Sequence, residues 1–105
     1  MSIPYGKLVR DGIPQIIQHS GKSCTTRVLT ETEYIEALDW KLQEELDEYL
    51  ADGAMEELAD LLEVMMAVAA AQGSSWEEIE ALRRDKAYRR GGFEGRIFLH
   101  EVYED

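Results

Sequence analysis

Cysteine is nearly absent: Cys24 stands alone among 105 residues. A single thiol excludes an internal disulfide and a cysteine-rich zinc site. Histidine is almost as scarce, and neither His19 nor His100 has a partner at metal-ligand spacing, so both are read as structural or exposed. Positive charge is in short supply too, with 11 Lys and Arg against 22 Asp and Glu and a net charge of −11. That balance argues against partners such as a nucleic-acid backbone or an anionic membrane surface, and it suits a chain partly neutralised by bound cations. Long apolar runs are missing. Residues 1–12 carry Lys7, Arg10 and Asp11 where a signal peptide needs an apolar stretch. Residues 58–71 are apolar but hold Asp60 and Glu63 and are too few to span a bilayer. A cytoplasmic protein is the expectation. No repeat or low-complexity linker divides the chain.

What is present suits one domain, residues 1–105, with a hydrophobic content of 45% that is globular rather than disordered. A core this small is marginal alone, so burial against a second copy would help. The expected fold is mainly α. Pro14 starts a short helix that runs to His19 and is ended by Gly21. Residues 25–29 alternate and are β-branched, which predicts a short strand. Thr30 then caps a helix over 30–51, with Glu33 completing a capping box. Its apolar stripe includes Ile35, Leu38, Leu42, Leu46 and Leu50. Gly53 breaks the chain, and a second helix over 54–72 is apolar almost all round, so it must be buried on more than one side. Ser75 and Glu78 form a second capping box for a helix that ends before Gly91-Gly92. Residues 96–102 are expected to form a strand pairing with 25–29. Trp40 and Trp76 are read as packing residues, and Met55, Met65 and Met66 as core filler.

The acidic residues are concentrated. Eight of the seventeen from Glu44 to Asp60 are Glu or Asp. Residues three apart share a helix face, so Glu45 and Glu48 point together, as do Glu57 and Asp60. The short Asp52-Gly53 connection implies antiparallel helices, which would bring the two pairs face to face. Carboxylates so crowded repel unless a cation sits among them. Oxygen ligands without thiol or imidazole point to Mg²⁺ or Mn²⁺. Lys41 precedes Glu45 by one turn, placed as a counter-charge or as a phosphate contact.

Glu44-Glu45-x-x-Glu48 followed by Glu57-x-x-Asp60 resembles the EExxE…ExxD signature of the all-α nucleotide pyrophosphohydrolases, which include MazG, the dimeric dUTPases and the phosphoribosyl-ATP pyrophosphohydrolases. The opening Lys7-Leu8-Val9-Arg10-Asp11-Gly12-Ile13-Pro14 and the closing Arg90-Gly91-Gly92-Phe93-Glu94 resemble a small MazG-like branch of predicted house-cleaning enzymes. The likeness covers nearly the whole chain. It departs in one respect: the eight residues between Glu48 and Glu57 make a shorter connector than many members have.

The resemblance implies a MazG-like four-helix core formed in a homodimer or homotetramer. It implies a Mg²⁺-dependent enzyme that cleaves a nucleoside triphosphate, standard or not, to monophosphate and pyrophosphate. Glu45, Glu48, Glu57 and Asp60 would be the Mg²⁺ ligands (Mn²⁺ being the substitute), and Glu44 an outer carboxylate or the group that orients or deprotonates water. Lys7, Arg10, Lys86 and Arg90 would contact phosphates, the last two as a clamp four residues apart on one helix. The alternatives are a phosphoribosyl-ATP pyrophosphohydrolase of histidine synthesis with the same metal site, and a non-catalytic helical module that binds a metal or nucleotide.

Overall fold

The computed structural model describes residues 6–104. Four helices follow one another: α1 (Ile13–His19), α2 (Glu31–Asp52), α3 (Met55–Ala71) and α4 (Trp76–Arg90). Each lies within a residue of where the sequence pattern puts it. Thr30 caps α2 by accepting the Glu33 N–H at 3.3 Å, while Glu33 Oε1 accepts the Thr30 N–H at 3.0 Å. Arg27 then forks onto both Glu33 oxygens at 3.0 and 2.9 Å. Those hydrogen bonds, from Arg27 first and then Thr30, pull the Glu33 carboxyl down to about 2.

Gly53 ends α2 in the left-handed region at φ 70°, and its N–H donates to the Tyr49 carbonyl at 2.7 Å. Only glycine adopts that conformation without steric cost. Two residues later α3 begins, so α2 and α3 fold back on each other as a helical hairpin, and this pair makes most of the packing in the chain. α4 starts from Ser75, whose Oγ accepts the Glu78 N–H at 3.1 Å. The expected second capping box is not completed, because Ser74 Oγ engages the Glu78 side chain at 2.8 Å.

The core is thin. Leu38, Val64 and Ala69 are its buried hydrophobics among the described residues. α4 packs on α3 alone, and Trp76 and Ile79 share the lining of a cleft with Met65, Val68 and Ala69 of α3 and Leu42 of α2. Farther along, Leu82 and Tyr88 lie open to solvent. The chain extends over 67 × 31 × 23 Å with a radius of gyration of 18.9 Å. A compact domain of about 100 residues has a radius near 13 Å.

Two expectations fail here. No strand forms among the described residues, at 25–29 or at 96–102. A strand needs a ladder partner and a covered face, and both segments have neither: Val28, Ile97 and Phe98 are exposed. Arg27 is committed to the α2 N-terminus instead. Trp40, read as a packing residue, and Met55, Met65 and Met66, read as core filler, are also exposed, so none of the four is buried in a core of the single chain. No helix among the described residues is long and apolar enough to cross a membrane.

Candidate functional site

The α2–α3 hairpin gathers the acidic residues at its closed end. Glu44, Glu45 and Glu48 offer carboxylate oxygens within 4.8 Å of one another, and so do Glu45, Glu57 and Asp60. Glu45 belongs to both groups and is the hinge of the cluster. It is buried at 6% exposure, the one buried charged residue among those described.

Burial of a carboxylate needs compensation. Part of it comes from Lys41, whose Nζ lies 3.5 Å from Glu45 Oε1 and 3.3 Å from Glu44 Oε2. The segment before α1 supplies two more cations, which pair with neighbouring carboxylates. Lys7 Nζ reaches Glu44 Oε1 at 3.1 Å, and Arg10 Nη2 reaches Asp60 Oδ1 at 2.8 Å. Five carboxylates thus meet three cations among the described residues.

Two oxygens stay uncompensated. Glu45 Oε2 and Glu57 Oε2 are buried, and no cation or N–H donor among the described residues reaches either oxygen. A buried acceptor without a donor is costly and rare. The electrostatics agree with the geometry. Burial, then hydrogen bonding and repulsion from Glu48, with Asp52 and Asp60 adding, push the Glu57 carboxyl up to about 7. Burial and the Glu48 charge also raise Glu45 against the pull of Lys41. Glu44 behaves differently: burial would raise it, but Lys7 and Lys41 outweigh that and hold it low. The corner therefore holds one carboxyl, Glu57, that retains its proton up to about 7, beside another, Glu44, held below the usual carboxylate range.

All five acidic residues singled out in the sequence are brought together, along with Lys7, Arg10 and Lys41. Lys86 and Arg90 are not. Both are exposed on α4, which has no packing with α2, and the side chain of neither forms an ion pair or hydrogen bond among the described residues. The sequence pattern missed the cavity of about 460 Å³ that lies beside the corner, between residues 6–8 and the flank of α2 that carries Trp40 and Glu44. The helical phase of Trp40, off the apolar stripe, is the signal that could have found it.

No family model matches the chain. No solved structure matches it either. It is 46% identical over 54 residues to an uncharacterized protein of Mycolicibacterium smegmatis, a likeness that takes in 48% of this chain and 55% of that protein. The chain thus spans about half the length of the curated relative it matches.

Proposed function

We propose that the chain is a nucleotide pyrophosphohydrolase whose acidic corner works with a divalent cation, Mg²⁺ or Mn²⁺. The observation that carries this reading is the pair of buried oxygens of Glu45 and Glu57, which no donor among the described residues reaches, inside a cluster of five carboxylates. The donor set fits a hard cation, being all oxygen. Glu45, Glu48, Glu57 and Asp60 would hold it. The ion would supply charge neutralisation for the triphosphate and polarisation of water.

The remaining work falls to the chain's own groups. Lys7 and Arg10 lie on carboxylates at the rim of the corner, where an arriving polyphosphate offers them an alternative anion. Glu44, held ionised by two lysines, suits orienting a water better than accepting its proton. In the reaction the water oxygen bonds to the α phosphorus, the bond from that phosphorus to the bridging oxygen breaks, and pyrophosphate leaves.

The working unit in this reading is a homodimer or larger. Leu58, Leu62, Met65 and Met66 leave one side of α3 partly open, at 38–43% exposure. A contiguous apolar face of that kind favours a second copy, whose α2–α3 hairpin would complete a four-helix core. Lys86 and Arg90 would reach phosphates in such an assembly.

The test is incubation with a panel of nucleoside triphosphates and phosphoribosyl-ATP in the presence of Mg²⁺, with products separated. Pyrophosphate and a monophosphate are expected. Orthophosphate as first product, full activity in excess EDTA, or intact nucleotide after long incubation would each defeat the reading. The last result would favour the binding module.

A further inference from the structure

The cavity beside the corner is larger than a metal site requires. Its volume of about 460 Å³ lies within the range of small-molecule sites, about 300–1,000 Å³. Glu44 lines this cavity and also belongs to the metal-capable group with Glu45 and Glu48. One turn before Glu44 stands Trp40, which is 77% exposed. Leu38 marks the face of α2 that packs on α3. Trp40 follows it by two residues, about 200° around the helix, and so lies on the side away from α3. A large indole held on a 22-residue helix, turned from the core and lining a cavity, contributes little to packing in the chain.

We propose that Trp40 is the stacking platform for the base of the nucleotide whose phosphates lie at the acidic corner. This rests on the pyrophosphohydrolase reading above and adds a base subsite to it. The walls favour a nucleotide over an apolar ligand. Lys7 and Lys41, both paired with Glu44, would face an anionic end, the indole offers a flat π surface, and Gln43 and Asp47, joined by a 2.9 Å hydrogen bond, would offer a donor and acceptors to a polar edge. Stacking accepts every base, since each has a π face. The subsite is therefore broad in base preference, with any bias coming from Gln43 and Asp47.

The experiment measures binding, so it does not depend on turnover. The ligands are Mg²⁺ with α,β-methylene-ATP, which resists cleavage at that bond, and Mg²⁺ with inorganic triphosphate, which has no base. The chain has two tryptophans, so Trp76→Phe leaves Trp40 as the only indole. Its fluorescence should be quenched by the nucleotide analogue and left unchanged by triphosphate. Trp40→Ala should weaken the analogue roughly tenfold, the size of one base–aromatic stack, and Trp40→Phe should recover most of that loss. The affinity for triphosphate should change less than about twofold, because no stack is lost. Equal nucleotide affinity with and without the indole would overturn the platform, as would an equal loss for both ligands. So would a change in sedimentation at constant affinity, which would make Trp40 a subunit contact. Pyrophosphate release that is indifferent to Trp40 would sink the platform and leave the catalytic reading standing. Trp40-dependent binding without cleavage would do the reverse.

Discussion

Arg10 Nη2 lies 2.8 Å from Asp60 Oδ1, joining groups fifty positions apart in the chain. Lys7, three residues earlier, makes the matching contact with Glu44. The segment that leads into α1 is thus fastened to both helices of the hairpin by its cations. Each cation sits on a carboxylate that belongs to a metal-capable group.

In the proposed reading Arg10 would compete with the metal for Asp60, and that competition can be measured. The pair is half exposed, with side-chain exposures of 57% and 41%, and pairs of that kind contribute about 0–1 kcal/mol. Arg10→Gln should leave the melting temperature nearly unchanged. It should strengthen Mn²⁺ binding in calorimetry without nucleotide and weaken binding of Mg²⁺ with α,β-methylene-ATP. An unaltered Mn²⁺ isotherm would show that the contact has no bearing on the metal.

The ligand carboxylates should be separable from the fold. Glu48→Gln and Asp60→Asn are expected to lower turnover by more than roughly 100-fold, while circular dichroism stays helical. Each change also removes repulsion from a crowded cluster, so the metal-free melting temperature should hold or rise. Glu36 and Glu80 lie outside the cluster and serve as controls. Near-normal rates in either folded variant would remove that residue from the ligand set.

The pH dependence follows from Glu57. Its carboxyl holds a proton up to about 7 in the folded chain, against an ordinary value of 4.5. The folded state binds that proton more tightly than the unfolded state. Its stabilising contribution is therefore complete below about 4.5 and is lost as pH rises through about 7. Glu33, Glu44 and Glu80 are shifted down and act in the opposite sense on acidification. The difference between wild type and Glu57→Gln in EDTA isolates the Glu57 part: the variant should gain on wild type as pH increases from 5 to 8. A metal must displace the same proton, so Mn²⁺ affinity should climb over that interval and level off above it. A pH-independent gap between the two melting curves would contradict the assignment.

Assembly should be inseparable from folding. A substitution such as Met66→Glu places a charge on the open side of α3, and it is expected to lower helicity and activity together. Dilution of the wild type to low micromolar concentration, followed by ultracentrifugation, gives the direct answer. A stable, fully helical species of 12.0 kDa would show that the chain stands alone.

The helices were legible because their ends are written locally. Thr30 with Glu33, Gly53, Ser75 and Gly91 each fix a boundary through bonds to nearest neighbours. The acidic corner was legible for a related reason: two three-residue spacings and a two-residue turn leave little freedom in where the carboxylates meet. The strands were misread because alternation at 25–29 and 96–102 describes a face and says nothing of what covers it. Lys86 and Arg90 share a helical face, yet the tilt of α4 depends on a few contacts around Trp76 that no local pattern encodes. Trp40 was misread for want of its neighbours, since an indole off the apolar stripe is a packing residue or an open one according to what lies opposite.

The two-residue link at Gly53 makes the spacing between the carboxylates a matter of chain length. An insertion there changes no ligand, yet α3 would re-enter with its phase turned by about 100° per added residue. Glu57 and Asp60 would then swing away from Glu45 while every side chain of the cluster remained in the sequence. A surface turn normally tolerates added residues, because loop closure costs little. This one should not, and its intolerance would register as lost metal binding in a protein that still folds.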